Sequence, residues 1–62
     1  MNAANIIRQA QKELIELHKL MDFDVDTFCG AEMQIDINAE TYDGSETISE
    51  FVDRCVELAS IS

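Results

Sequence analysis

From residue 3 to residue 21 an apolar side chain returns every three or four positions, at Ala3, Ile7, Ala10, Leu14, Leu17 and Met21, and neither Gly nor Pro interrupts the run. Residues at that spacing share one face of an α-helix, so this stretch reads as a single amphipathic helix that must pack on something to persist. Asn2 or Asn5 can supply its N-cap. The opposite face carries Arg8, Lys12, Glu16 and Lys19, a mildly basic ridge. Ile15 and Leu20 fall off the main stripe and mark a candidate surface for self-association.

The chain is 62 residues, enough for one domain. A domain this short buries only about 60% of the surface its unfolded chain exposes. Such a core seldom supplies more than roughly 3–5 kcal/mol net, so a disulfide, a metal or a second chain often assists. With 47% hydrophobic residues the chain is too apolar for a disordered acidic tail, and a homodimer is an open expectation. Cys29 and Cys55 do not read as a staple: no apolar signal segment precedes them, and one bridge is thin for a secreted mini-protein. Both are expected as free thiols of a cytoplasmic protein, Cys55 as a small hydrophobe. No apolar run approaches the roughly 20 residues needed to cross a bilayer, and an acidic chain is repelled by anionic lipid surfaces.

Residues 22–28 alternate acid and apolar, with Asp22, Asp24 and Asp26 against Phe23 and Val25, until Thr27-Phe28 breaks the pattern. Residues 33–39 alternate more cleanly, Met33, Ile35, Ile37 and Ala39 one way and Gln34, Asp36 and Asn38 the other. Period two is the pattern of a half-buried strand. Joined by a turn at Cys29-Gly30, the two segments form a hairpin with Asp24, Asp26 and Asp36 on its solvated face; if 22–28 is instead a loop, the remaining strand needs another chain to cover its edges. After an Asp43-Gly44 turn, Asp43 and Glu46 have the spacing of an N-terminal capping box. Ile48, Phe51, Val52, Cys55, Leu58 and Ala59 then trace the apolar stripe of a second helix. The expected fold is α+β, a helix–β-hairpin–helix domain with two amphipathic helices packed on a short antiparallel sheet.

No motif specifies a reaction. The DxDxD of residues 22–26 lacks the rest of a calcium loop: where an EF-hand needs Gly at position six and Glu at twelve, the chain has Thr27 and Met33. His18 has no Cys, His or acid at metal-ligand spacing and reads as a packed or boundary histidine. There is no phosphate-binding glycine loop, no zinc pattern and no nucleophile triad, so neither an enzyme nor a cofactor or metal is expected. Tyr42, the only tyrosine, stands beside an acidic helix start and is a candidate contact anchor.

The charge is large and lopsided. Thirteen acids oppose four bases, for a net charge of −9. Residues 1–20 carry Arg8, Lys12 and Lys19 against Glu13 and Glu16, or +1; residues 21–62 carry the other eleven acids and only Arg54, or −10. On the second helix Glu46, Glu50, Asp53 and Glu57 are spaced four, three and four apart, which places them on one face. Their carboxylates would stand about 5–6 Å from one another, similar to the phosphate spacing of a nucleic-acid strand. Such a surface turns away DNA and RNA themselves and attracts basic proteins, including those that bind nucleic acid. Glu46, Glu50, Asp53 and Glu57, helped by Asp24, Asp26, Asp36 and Tyr42, are the candidate partner-binding residues. The alternative is that these acids only solubilise a homo-oligomer held by apolar contacts.

In length, charge and the carboxylate ridge over Glu46–Glu57, the chain resembles the small acidic inhibitors of phages and mobile elements, including anti-restriction and anti-CRISPR proteins. The resemblance implies a non-enzymatic inhibitor that occupies the nucleic-acid groove of a basic protein.

Overall fold

The expected helix over residues 3–21 forms and buries Ile6, Ala10 and Leu14, four residues apart, with Ile7 and Leu17 half-buried beside them. In the computed structural model, which describes residues 3–61, this helix α1 (Ala3–Met21) is followed by α2 (Val25–Ala39) and α3 (Ile48–Ile61). Asn5 lies inside α1 and so is not its N-cap, while Asn2 falls outside the described residues. At the other end Asp22 adopts φ 49°, and its amide donates to the His18 carbonyl at 2.7 Å. A left-handed residue just past the last turn is a common way to stop a helix.

No strand exists among the described residues, and the expected hairpin is replaced by α2. The fold is therefore an all-helical three-helix bundle, and the α+β reading is corrected. The cause lies in how the apolar residues of 22–39 are used. Asp22 ends α1, Asp24 caps α2 by accepting the Thr27 amide at 3.2 Å, and Asp26 sits in the first turn, where the helix dipole favours an acid. The alternation of 22–28 is thus the punctuation between two helices. In 33–39 the alternation is incidental. Ile35 and Ala39 are buried together with Ala31, at four-residue spacing, while Met33 and Ile37 point outward at 62% and 59% exposure. Gly30, expected in a turn, lies in mid-helix against Ala59 of α3.

The link from α2 to α3 is built from local hydrogen bonds. The Thr41 and Tyr42 amides donate to the carbonyls of Asn38 and Ala39, the Asp43 carboxylate accepts the Ser45 amide at 3.0 Å, and Gly44 takes φ 83°. The capping box of α3 is one turn later than the sequence suggested. Thr47 Oγ1 accepts the Glu50 amide at 3.1 Å and Glu50 Oε1 accepts the Thr47 amide at 2.9 Å, so two otherwise orphaned donors are satisfied reciprocally. Asp43 and Glu46 do not form the box.

Each helix packs on the other two. The core consists of Ile6, Ala10 and Leu14 from α1, Ala31, Ile35 and Ala39 from α2, and Phe51, Val52 and Cys55 from α3; among the described residues no polar residue is buried with them. Small residues on α1 and α2 (Ala10, Gly30, Ala31 and Ala39) let the helix axes close around the bulk supplied by Phe51 and Leu14.

Candidate functional site

The four acids of the expected ridge are not equivalent. Glu46 precedes α3 and is half-buried in an ion pair with Arg54, Oε1 to Nη2 at 2.5 Å. The bond to Glu46 raises the Arg54 pKa, and the guanidinium lies 5.5 Å from the centroid of the Phe51 ring. Tyr42 completes this strap. Its ring packs 5.1 Å from that of Phe51, and its hydroxyl donates to the Glu46 carbonyl. Glu50 is held in the capping box. Asp53 and Glu57 stand exposed on the outward side of α3 with no ion pair or side-chain hydrogen bond among the described residues. Glu46, Glu50 and Tyr42 therefore hold the link and the start of α3 together, and Asp53 and Glu57 present uncompensated charge.

The acids placed on a hairpin face lie instead on α2. Asp24 is its N-cap, and hydrogen bonds from Thr27 hold its carboxyl below the usual range; Asp43, in the next link, is lowered in the same way by Ser45. Asp26 and Asp36 are exposed along α2, as is Glu40 at its C-terminal end. From Asp22 to Asp53 the chain has ten acids and neither Lys nor Arg, and Arg54, the next base, is already bound to Glu46.

Ile15 and Leu20 are exposed, at 48% and 84%, but they do not make one patch. Five residues apart on a helix, they diverge by about 140°. The continuous apolar surface is on α2. Val25, Met33 and Ile37 are 74%, 62% and 59% exposed, and Cys29, also exposed, lies between Val25 and Met33. These four are each four residues apart, so they form one slanting ridge over the outward part of the helix, about 18 Å along its axis and winding about 120° from Val25 to Ile37. The sequence reading missed this stripe because a hairpin would have turned Met33 and Ile37 inward. Its four-residue spacing was the available signal.

Of the other chemistry-bearing groups, His18 and Cys55 are packed in, whereas Cys29 is exposed. His18 packs against the rings of Phe23 and Phe28, with centroids 5.0 and 5.1 Å away, and its Nδ1 is buried without a hydrogen-bond partner among the described residues. Cys29 and Cys55 are both free thiols; burial pushes the Cys55 thiol up. Among the described residues there is no metal-binding cluster, no pocket and no helix long and apolar enough to cross a membrane. No family model, curated protein or solved structure matches the chain.

Proposed function

We propose that this chain is a non-enzymatic binding protein that inhibits or modulates a basic, nucleic-acid-binding protein through its acidic α2–α3 side. The observation that carries this reading is the run from Asp22 to Asp53, ten acids without a base, with Arg54 paired internally. An uncompensated field of this kind speeds encounter with a positively charged partner and repels nucleic acid and anionic lipid. Asp26, Asp36, Glu40, Asp53 and Glu57 are exposed contributors, with no ion pair or side-chain hydrogen bond among the described residues. Glu46, Glu50 and Tyr42 support the surface by holding the α3 start in place.

The test is capture of host proteins on the tagged chain, washed first at low and then at high salt, beside a variant with Asp26, Asp36, Asp53 and Glu57 changed to Lys. The expected result is a nucleic-acid-binding protein that is released at high salt and absent from the variant. Equal capture by both proteins would sink the proposal.

A second reading, a homo-oligomer assembled by apolar contacts, is favoured by the exposure of Leu20 and Ile61, at 84% and 78%. It requires association that survives high salt and is lost on Leu20→Glu.

A further inference from the structure

We infer that the outward side of α2 is a docking surface for a basic amphipathic helix of another protein, with Val25, Cys29, Met33 and Ile37 as the apolar track and Asp26, Asp36 and Glu40 as its charged margin. The inference rests on the reading of the chain as a binder of basic proteins and adds the site and the partner's form. An isolated exposed Ile or Met is ordinary; four apolar residues on one i, i+4 ridge, all of them exposed, are not. A ridge of this kind, inclined to the axis of α2, fits a second helix that crosses α2 at an angle and whose own apolar residues would recur every three or four positions.

The charge selects the occupant. α2 and its two caps carry Asp24, Asp26, Glu32, Asp36 and Glu40 and no base. A second copy docked through α2 would bring the same acids against these, and like charges across an interface oppose association. The basic ridge of α1 in another copy (Arg8, Lys12 and Lys19) has only Ile15 beside it, the exposed Leu20 and Met21 lying at the end of the helix, and Lys19 is within 3.9 Å of its own Glu16. Each copy would also add its own net charge of −9 to the pair. A helix with Lys or Arg flanking an apolar stripe satisfies both the track and its margin. The apolar contact then sets register, and the charges supply attraction that weakens with salt.

The probe is an 18-residue peptide of leucine and lysine with leucines at helical spacing, compared with a peptide of identical composition in which the two residues alternate. Both are titrated into the ¹⁵N-labelled full chain at low and at physiological salt. The expected result is about tenfold tighter binding of the helical peptide, equivalent to about 1.4 kcal/mol. Shifts should concentrate on residues 25–40, Cys29 should become protected from alkylation, and Met33→Glu/Ile37→Glu, a change at two exposed positions, should erase the preference. Equal binding of both peptides with shifts centred on Asp53 and Glu57 would overturn the α2 site and leave the acidic-surface reading intact. No salt-dependent binding of either peptide would overturn both. Self-association of the free chain that Met33→Glu abolishes would overturn the foreign helix as occupant.

Discussion

Gly30 of α2 and Ala59 of α3 approach so closely that a β-carbon added to Gly30 would stand 3.1 Å from the Ala59 Cβ. Ala59 Cβ is fixed to its own backbone and cannot swing aside, so a larger residue at 30 must push the two helices apart. Glycine in mid-helix is unfavourable relative to alanine by about 1 kcal/mol, and the tight contact offsets that disadvantage. We therefore expect Gly30→Ala to lie within about 0.5 kcal/mol of the parent, propensity gained against strain. Gly30→Val should destabilise by about 2 kcal/mol, since overpacking of a close interface costs about 1–3 kcal/mol. Urea denaturation of the three proteins reads this directly. A stabilised Gly30→Val would mean that α2 and α3 are not in contact here.

Asp22 holds φ 49° at the end of α1, a conformation that glycine adopts without the steric cost an L side chain incurs. Asp22→Gly is expected to stabilise the bundle by about 0.5–1 kcal/mol, while Asp22→Val should destabilise it. The ordering Gly above Asp above Val in thermal melts is the check; Val equal to Gly would contradict the left-handed stop.

Much of α1 and α3 was legible in the sequence, and α2 was not. The stripes through Leu14 and through Phe51, Val52 and Cys55 repeat at a period that only a helix satisfies, and both helices form. Residues 33–39 satisfy two periods at once, because Ile35 and Ala39 are common to an alternating strand and to a helix face. Ala31 and Phe28 decide in favour of the helix, and neither belongs to the alternation. Small residues carry weak hydrophobic signal, so a helix face built from Gly30, Ala31 and Ala39 is hard to see before its neighbours are in place. The carboxylate ridge was legible as a spacing but not as a set of roles. That Glu46 pairs with Arg54 depends on how the link folds back, and that Glu50 belongs to a capping box depends on α3 starting after Thr47 rather than after Asp43.

The Asp24 cap has a pH signature. Hydrogen bonds from Thr27 lower its pKa in the folded state from the ordinary 3.8, so the folded protein binds this proton less readily than the unfolded chain. The stability contributed is fully present above the unfolded value and is lost as pH falls through the lower folded value. Asp24→Ala should therefore melt below the parent at neutral pH, with the gap narrowing once the pH drops below about 4. Asp24→Asn caps without titrating, so its gap from the parent should shrink and then reverse sign or vanish over the same range. Melting curves from pH 7 to pH 2.5 test this; a gap for Asp24→Ala that widens toward acid would be the wrong sign.

The two cysteines give independent readouts of the fold. Cys29 is exposed on α2, whereas Cys55 is fully buried against the core and its thiol is pushed up by that burial. Alkylation requires access and the thiolate, and Cys55 offers neither until the bundle opens. For a stability of up to roughly 3–5 kcal/mol the globally open form is populated at about one part in 10² to 10⁴, so Cys55 should react slower than Cys29 by up to that factor. Iodoacetamide followed by intact-mass measurement should show one adduct on the native chain and a second only on adding denaturant. Leu14→Ala, expected to cost about 2–5 kcal/mol, should bring the second adduct forward while leaving the first unchanged. Two adducts forming at the same rate on the parent protein would mean that Cys55 is not part of a closed core.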